Sequence, residues 1–496
     1  MSDKELEQPV QYLLGQPQRR TGVGALSMKA TIVIAVGFMI FLFSQIAGQT
    51  AFAFFVVLPV TAIVVGLVSV SWGNRSLAQA AQILWQNYRR TATGSHIYVS
   101  GPNSRVPGGH RRLPGLLART EAIEATYSQN RPPFVMILDR PRREVTVLLD
   151  CQMTGQTAMT QSERNLRTAE WCNWLAKFSL SGDIAQVTTV VATRPGTGEL
   201  VNNEVRAIIA EGAPAIAKRI VTEAASVIAL ARPEVMAHIA ITIKLDKAQL
   251  TDESFIRNIA TRIGTWAETV QYAGILAEPM TYEQAVARIH MFFNPPTEAD
   301  FEEIALTGEG HGMLWQDAGP NWAVTTNTYY EHCGAKSVTW EMKEAPRSTF
   351  EDTILSAMMQ PHDRIQRKRV ALVYRPYNAG QGATKVEAEH RDAMVAANSS
   401  KSITSAKAEM RLETTEAARR AQARGAQLGR TSMFVTATIT PEEDFNRVVH
   451  DIEQLAAGSS ITLQKMNRQQ DTGFQTSLGF GQVPWAKSTT SSFAEG

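Results

Sequence analysis

Between Ala30 and Trp72 the chain has no Asp, Glu, Lys, Arg or His. That absence excludes an ordinary solvated surface segment. One bilayer crossing takes ~20 apolar residues, so the run is long enough for two. A small polar break, Ser44-Gln45-Ile46-Ala47-Gly48-Gln49-Thr50, divides it. The expected result is two membrane helices, about Ala30–Ile46 and Ala51–Ser71, joined by a very short turn. Each helix satisfies its own backbone polar groups, as hydrocarbon requires. Pro59 falls inside the second helix, where a kink is tolerated.

Cysteine is scarce. Cys151, Cys172 and Cys333 are far apart and odd in number, which argues against a disulfide framework and suits a reducing compartment. There is no excess of charge either: 49 Lys and Arg stand against 47 Asp and Glu. That balance exerts no global pull toward nucleic acid. A cleavable signal peptide is not expected, because the apolar run starts late, follows Asp3, Glu5 and Glu7, and is too long. Basic residues flank the run on both sides (Arg19, Arg20 and Lys29; Arg75, Arg89 and Arg90), with none in the turn. By the positive-inside rule both termini and the large domain are then cytoplasmic.

The motifs of common chemistry are also missing. No Gly-x-x-x-x-Gly-Lys-Ser/Thr loop is present to cradle phosphates. Gly380-Gln381-Gly382-Ala383-Thr384-Lys385 has the wrong spacing and reads as a glycine loop before a helix, and Ala192-Thr193-Arg194-Pro195-Gly196-Thr197-Gly198 is a weaker match. His290, His311, His332 and His362 do not fall at metal-ligand spacing. Glu331-His332-Cys333 places a thiol beside an imidazole in sequence only, and a core or surface role is expected for it. No Gly-x-Ser-x-Gly elbow occurs. Accordingly no catalytic, cofactor-binding or metal-binding residue is assigned, and no cofactor. Two basic clusters, Arg140/Arg142/Arg143 and Arg364-Ile365-Gln366-Arg367-Lys368-Arg369, lie beside strands and read as solvated charge at turns. The stretch Lys401–Arg430 mixes both signs, as an exposed or coiled-coil helix does. Direct nucleic-acid contact stays open.

What is present beyond the apolar run is an α+β pattern. Leu77, Ala80, Ile83, Leu84 and Tyr88 recur at helical spacing over Asn74–Tyr98. Gly101–Pro114 is rich in Gly and Pro and marks a boundary. Strands are expected at Phe134–Leu138, Glu144–Cys151 and Gln186–Thr193, with a helix at Ser162–Phe178. A βαβαβ order then occurs twice. The first copy runs from Val187–Thr193 through Val201–Leu230, Ile239–Leu245 and Asp252–Tyr272 to Ile275-Leu276. The second runs from Val370–Tyr374 through Thr384–Leu428, Met433–Ile439 and Pro441–Ala457 to Ile461–Met466. Each first strand ends in Arg-Pro, and each last helix follows Thr with acids in its first turn, which suits an N-cap and the helix dipole. This is either a repeat or two common α+β units. The expected fold class is α+β: a two-helix transmembrane hairpin followed by cytoplasmic α+β units. The expected segments are a flexible 1–29, the hairpin 30–73, a juxtamembrane helix and linker 74–110, a first unit 111–280, a connecting subdomain 281–347, a second unit 348–485 and a disordered tail 486–496.

The C-terminal part carries a resemblance. Arg375-Pro376, the Ala/Glu/Arg-rich Ala406–Leu428, the strand Met433–Ile439, a short helix ending at Gly458, and Gln470-Asp471-Thr472-Gly473-Phe474-Gln475-Thr476-Ser477-Leu478-Gly479-Phe480-Gly481 resemble the N-terminal, non-catalytic domain of the large type IV secretion ATPase. The hairpin resembles the PrgI-type inner-membrane subunit of the same machines, although Ser27-Met28-Lys29 departs from its usual Gln-containing lead. The whole order is similar to actinobacterial conjugation-associated membrane proteins that fuse the two. The resemblance implies a scaffold in a conjugative type IV secretion channel that docks a separate ATPase. It implies other channel subunits as partners and a homo-oligomer within the complex. An EccE-like membrane subunit of type VII secretion shares the architecture. A membrane-anchored enzyme of another class is the third reading.

Overall fold

The computed structural model describes residues 9–10, 12, 28–69, 71–72, 75–101, 104, 112–126, 131–153, 155, 159–210, 212–230, 233–246, 253–308, 310–344, 346, 350–398, 406–423 and 428–483. The expected disordered tail 486–496 lies outside them, as do most of residues 1–29. The chain forms two compact units, one of residues 15–96 and one of residues 1–14 and 97–496.

The smaller unit is helical. Helix α1 spans Met28–Ile46 and α2 spans Thr50–Ser69, with a turn at 47–49. Thr50–Ser69 is long and apolar enough to cross a membrane; Ala30–Ile46 is apolar but shorter. Within α2, residues Ala53–Val57 form a π-helical turn. Pro59 accounts for it: the ring lacks an N–H and crowds the carbonyl one turn back, so the turn ahead of it widens. Helix α3, Leu77–Ala92, is amphipathic and ends in Arg89 and Arg90.

The larger unit is a mixed α+β structure around an antiparallel sheet of thirteen strands. In chain order these are β1 (Ile97–Val99), β2 (Thr120–Ala125), β3 (Phe134–Asp139), β4 (Glu144–Met153), β5 (Ile184–Pro195), β6 (Pro233–Lys244), β7 (Ile275–Pro279), β8 (Trp322–Thr325), β9 (Tyr330–His332), β10 (Ala335–Glu344), β11 (Arg367–Pro376), β12 (Gly429–Ile439) and β13 (Thr462–Lys465). The sheet is ordered β1-β8-β9-β10-β12-β11-β5-β6-β4-β3-β2, with β13 added against β10 and β7 against β4. Outward from the central β5–β11 pair, the two directions match. Each has a first strand, then the strand that returns from a helical hairpin, then a three-strand meander, with β1 added at the edge beyond β8.

The intervening helices follow the same order. Helix α4 (Gln161–Ser181) precedes β5. The hairpin α5 (Glu199–Ile208) and α6 (Ala215–Leu230) joins β5 to β6, and α7 (Glu253–Val270) leads to β7. Helix α8 (Tyr282–Phe293) follows, then α9 (Glu298–Thr307). In the other half α10 (Ala379–Asn398) and α11 (Ala406–Ala423) join β11 to β12. Helix α12 (Phe445–Gly458) leads to β13, and α13 (Gln470–Leu478) follows it. Local chemistry fixes several starts. Thr160 with Glu163, and Thr281 with Gln284, form reciprocal caps that satisfy free N–H groups at α4 and α8.

Strand alternation splits the core into two faces. On one, Val145, Val147, Ile239, Ile241, Val187 and Val191 meet Trp174 and Phe178 of α4 and Ile259 and Ile263 of α7. On the same side of the other half, Val370, Val435 and Trp340 meet Val448 and Ile452 of α12. The opposite face is covered by α8 and α13, whose Ile289, Phe293, Phe474 and Leu478 lie in one cluster with Leu117, Leu148 and Trp315.

Several expectations shift. The boundary placed at Gly101–Pro114 moves to residue 97, because Ile97–Val99 pairs with Trp322–Val324 at the sheet edge. Residues 281–347, expected as a connecting subdomain, supply α8, α9 and the meander β8–β10 of the one sheet. In the segment expected to be flexible, Tyr12 forms an antiparallel bridge with Phe350. The long stretches Val201–Leu230 and Thr384–Leu428 are each two helices. Gly380 and Gly382 lie in the first turn of α10 rather than in a loop. Helix α12 begins later than Pro441: Asp444, not Thr440, caps it, accepting from the N–H groups of Asn446 and Arg447.

Candidate functional site

The basic run 364–369 was expected to be solvated at a turn. Instead Arg367-Lys368-Arg369 open β11, and Lys368 and Arg369 are buried. The reason is topological. β11 is paired along both edges, to β5 and to β12. Its faces are covered by packed segments, Phe292 and Phe474 over Arg369 on one and Ala357 and Gln360 at Lys368 on the other. Alternation sends Arg367 and Arg369 to the α8/α13 face and Lys368 to the other. There Lys368 Nζ donates to the carbonyls of Gln360 (2.7 Å) and Ala357 (3.4 Å), and burial pushes its pKa down to about 8.

The arginines line a small cleft where β5, β11 and β12 meet α8 and α9. Two at its wall are ion-paired. Arg367 donates twice to Glu298, at 3.2 and 2.8 Å. Arg194 donates to Glu234 at 2.6 Å and also bonds Glu302. Such forked pairs combine charge with fixed geometry. Arg369, 4% exposed, differs. Its guanidinium lies against the rings of Phe292 (4.5 Å) and Phe474 (4.8 Å). Nε and Nη2 donate to Ser477 Oγ at 3.2 and 3.0 Å.

That contact ties the cleft to a polar seam under α13. The residues from Gln470 to Gln482 run across the sheet face, almost wholly buried. Gln470 exchanges hydrogen bonds with the backbone of Thr339 on β10: its Oε1 accepts at 2.8 Å and its Nε2 donates at 3.2 Å. Thr436 on β12 bonds Ser477 Oγ at 2.7 Å. His238 on β6 meets the Leu478 carbonyl through Nε2 at 3.0 Å, so that nitrogen carries the proton. Gln186 on β5 donates to the Gln482 carbonyl at 3.0 Å. Gln475 accepts from Leu116 N–H at 2.6 Å. Side by side, His332 bonds the Phe293 carbonyl (2.6 Å) and Ser337 Oγ (2.8 Å), and Ser337 bonds Thr438 (2.8 Å). Burial holds both imidazoles neutral, at about 3 for His238 and about 4 for His332.

Gly479 and Gly481 make the crossing possible. Both have positive φ, +73° and +88°, and a Cβ would strike Val190 and Thr146 respectively. Glycine alone combines that backbone with so close an approach.

The other candidates of the sequence scatter. Arg140 pairs with Glu121 and Arg142 with Asp139 and Glu144, around a single 3-10 turn between β3 and β4. His332 is a core residue whose bonds go to Phe293 and Ser337, not to Cys333. Burial raises the Cys151 thiol to about 12 and raises Cys172, the opposite of an activated thiolate. Among the described residues no group of three His, Cys, Asp or Glu side chains is placed to hold a metal. The arrangement serves to hold a segment and to present buried positive charge. The seam had a faint signal, the unusual polarity of Gln470–Gly481. The register that brings Thr339, Thr436, Arg369 and His238 beneath it is set by strands far apart in sequence. No protein-family model matches the chain, and comparison with curated proteins finds no match.

Proposed function

We propose that the chain is a membrane-anchored structural subunit of a conjugative type IV secretion channel, which docks a separate ATPase from the cytoplasmic side. The observation that carries the membrane part is the exposure of apolar side chains. Phe43 of α1 is 64% exposed and Phe55 of α2 is 82% exposed. Large apolar side chains left open along two helices need a non-aqueous surrounding. In this reading α1 and α2 form the hairpin; the shorter α1 reaches across with its Met28–Ile46 length of nineteen residues. Charge supports the orientation. Between Glu7 and Glu121 there is no acidic residue, while ten Lys and Arg occur. Helix α3 adds exposed Trp85 and Tyr88 beside Arg89 and Arg90, an interfacial composition. The docking part rests on the resemblance of Gln470–Gly481 and its surroundings to the ATPase-associated domain. We read the matching halves of the sheet as an internal duplication.

The test has two arms. Carbonate-washed membranes should retain the full-length protein, with a reporter at either terminus facing the cytoplasm. Affinity capture from solubilised membranes should recover a secretion ATPase. Recovery of type VII components instead would select the EccE-like reading. Binding or hydrolysis of ATP by the purified protein with ordinary affinity would sink the docking-only role.

A further inference from the structure

We propose that the cleft beside Arg369 binds a single small oxyanion, a carboxylate or phosphate group. The inference stands apart from the secretion reading. Arg194 and Arg369 are both buried arginines, but their surroundings differ. Arg194 meets two carboxylates, Glu234 and Glu302. Arg369 meets none within ion-pair distance among the described residues. A buried charge is costly unless paired, and an arginine does not escape by losing its proton at neutral pH. Two aromatic faces and one serine oxygen supply only part of what water would.

The free edge of the guanidinium points to the ligand. Nε and Nη2 are engaged by Ser477, with a longer Nη2 contact of 3.4 Å to the Phe474 carbonyl. Nη1 makes no hydrogen bond to a described residue, and Arg369 lines the open cleft. Thr193, Thr436 and Thr438 border the same space. Glu298 also borders it, but Arg367 holds both its oxygens, so its charge is compensated on the spot. Arg194 pairs with Glu234 and Glu302 and Arg367 pairs with Glu298, so these ion pairs leave one negative charge at the mouth, and the anion must bind at the Arg369 edge away from them. The uncompensated cation is the one at the inner wall. An oxyanion there would accept from Nη1 and complete the charge pairing that Arg194 obtains from glutamates. The phenyl rings of Phe292 and Phe474 lie 4.5 and 4.8 Å from the guanidinium carbon and crowd it, which favours a compact group with oxygen acceptors at Nη1.

The experiment is isothermal titration of the full-length, detergent-purified protein with sodium phosphate and, separately, with sodium acetate. Ionic strength is held constant with sodium chloride. Saturable one-site binding of either anion is expected, and the anion that binds names the source as phosphoryl or carboxylate. Arg369→Lys, which keeps a charge but removes the guanidinium edge, should weaken binding at least tenfold. Absence of saturable binding by both anions overturns the proposal, and so does unchanged affinity in Arg369→Lys. Should that variant fail to fold, the wild type labelled with ¹⁵N-arginine decides. The Arg369 side-chain resonance should shift on saturation, and a resonance that stays in place while another moves overturns the assignment.

Discussion

Two regions of this molecule break the usual rule of burial in opposite ways. Along α1 and α2, apolar side chains such as Phe38, Phe43, Phe55 and Ile63 are exposed. Beneath α13, polar side chains such as Gln470, Ser477, Thr436 and His238 are buried. In the proposed membrane setting the first is covered by apolar surroundings. The second is stable only where most polar atoms find partners, and in the seam Gln186 Oε1 and Gln482 Nε2 are buried without one. The contrast sets an apolar exposed surface against a polar buried interior. The bonds that are made, from Gln186, His238, Thr339, Arg369 and Thr436, tie the register of five strands to one helix and the segment after it.

Acid should break the comparison most strongly. His238 and His332 are neutral in the fold, with pKa values lowered by burial to about 3 and about 4 from an ordinary 6.5. The unfolded chain takes up protons below pH 6.5 while the folded chain does not. The stabilisation is therefore present above that pH and is lost as pH falls toward 4, at up to about 1.4 kcal/mol per pH unit for each histidine. Chemical denaturation at several pH values would measure this for the larger unit. Replacing both histidines with glutamine should flatten the slope; an unaltered slope would remove the seam from the explanation.

Gly481→Val comes next. It adds a side chain against Thr146 and forces a branched residue into positive φ, and overpacking with backbone strain should cost about 3 kcal/mol or more. Loss of protection at Gln470–Gln482 in hydrogen exchange would report it, whereas native-like protection would show that the crossing tolerates a side chain.

On the other side of the comparison, Val60→Arg places a charge on the exposed flank of α2. At the centre of a spanning helix that costs about 2.5–3.5 kcal/mol, so the membrane-retained fraction should fall. Retention equal to wild type would count against spanning by this helix. The smallest change is Ser477→Ala. It removes the acceptor of Arg369 Nε and Nη2 and the partner of Thr436, for an expected loss of about 1.5–3 kcal/mol, read from the shift in denaturation midpoint.

Much of the element order is legible in the chain because it rests on local periodicity. The helix expected at Ser162–Phe178 is found at Gln161–Ser181. The strand Met433–Ile439 is extended only at its start, to Gly429. What misleads is charge. Arg367-Lys368-Arg369 reads as solvated, since a lysine and two arginines are ordinarily exposed, and nothing local announces a strand with neighbours on both sides. The glycines at 380 and 382 mislead likewise, because a helix start tolerates them and tertiary context decides.

By itself the sequence determined many of the helices and strands, the twofold recurrence of one element order, and a long uncharged apolar run. These depend on neighbours within a few residues. Only the tertiary structure decided that the two recurrences share one sheet through the β5–β11 pair, that a basic triplet is buried there, and that Arg369 lacks the carboxylate Arg194 has. The physical reason is that pairing partners and counter-charges are set by contacts between residues tens to hundreds of positions apart, such as Gln186 with Gln482, which no local pattern encodes.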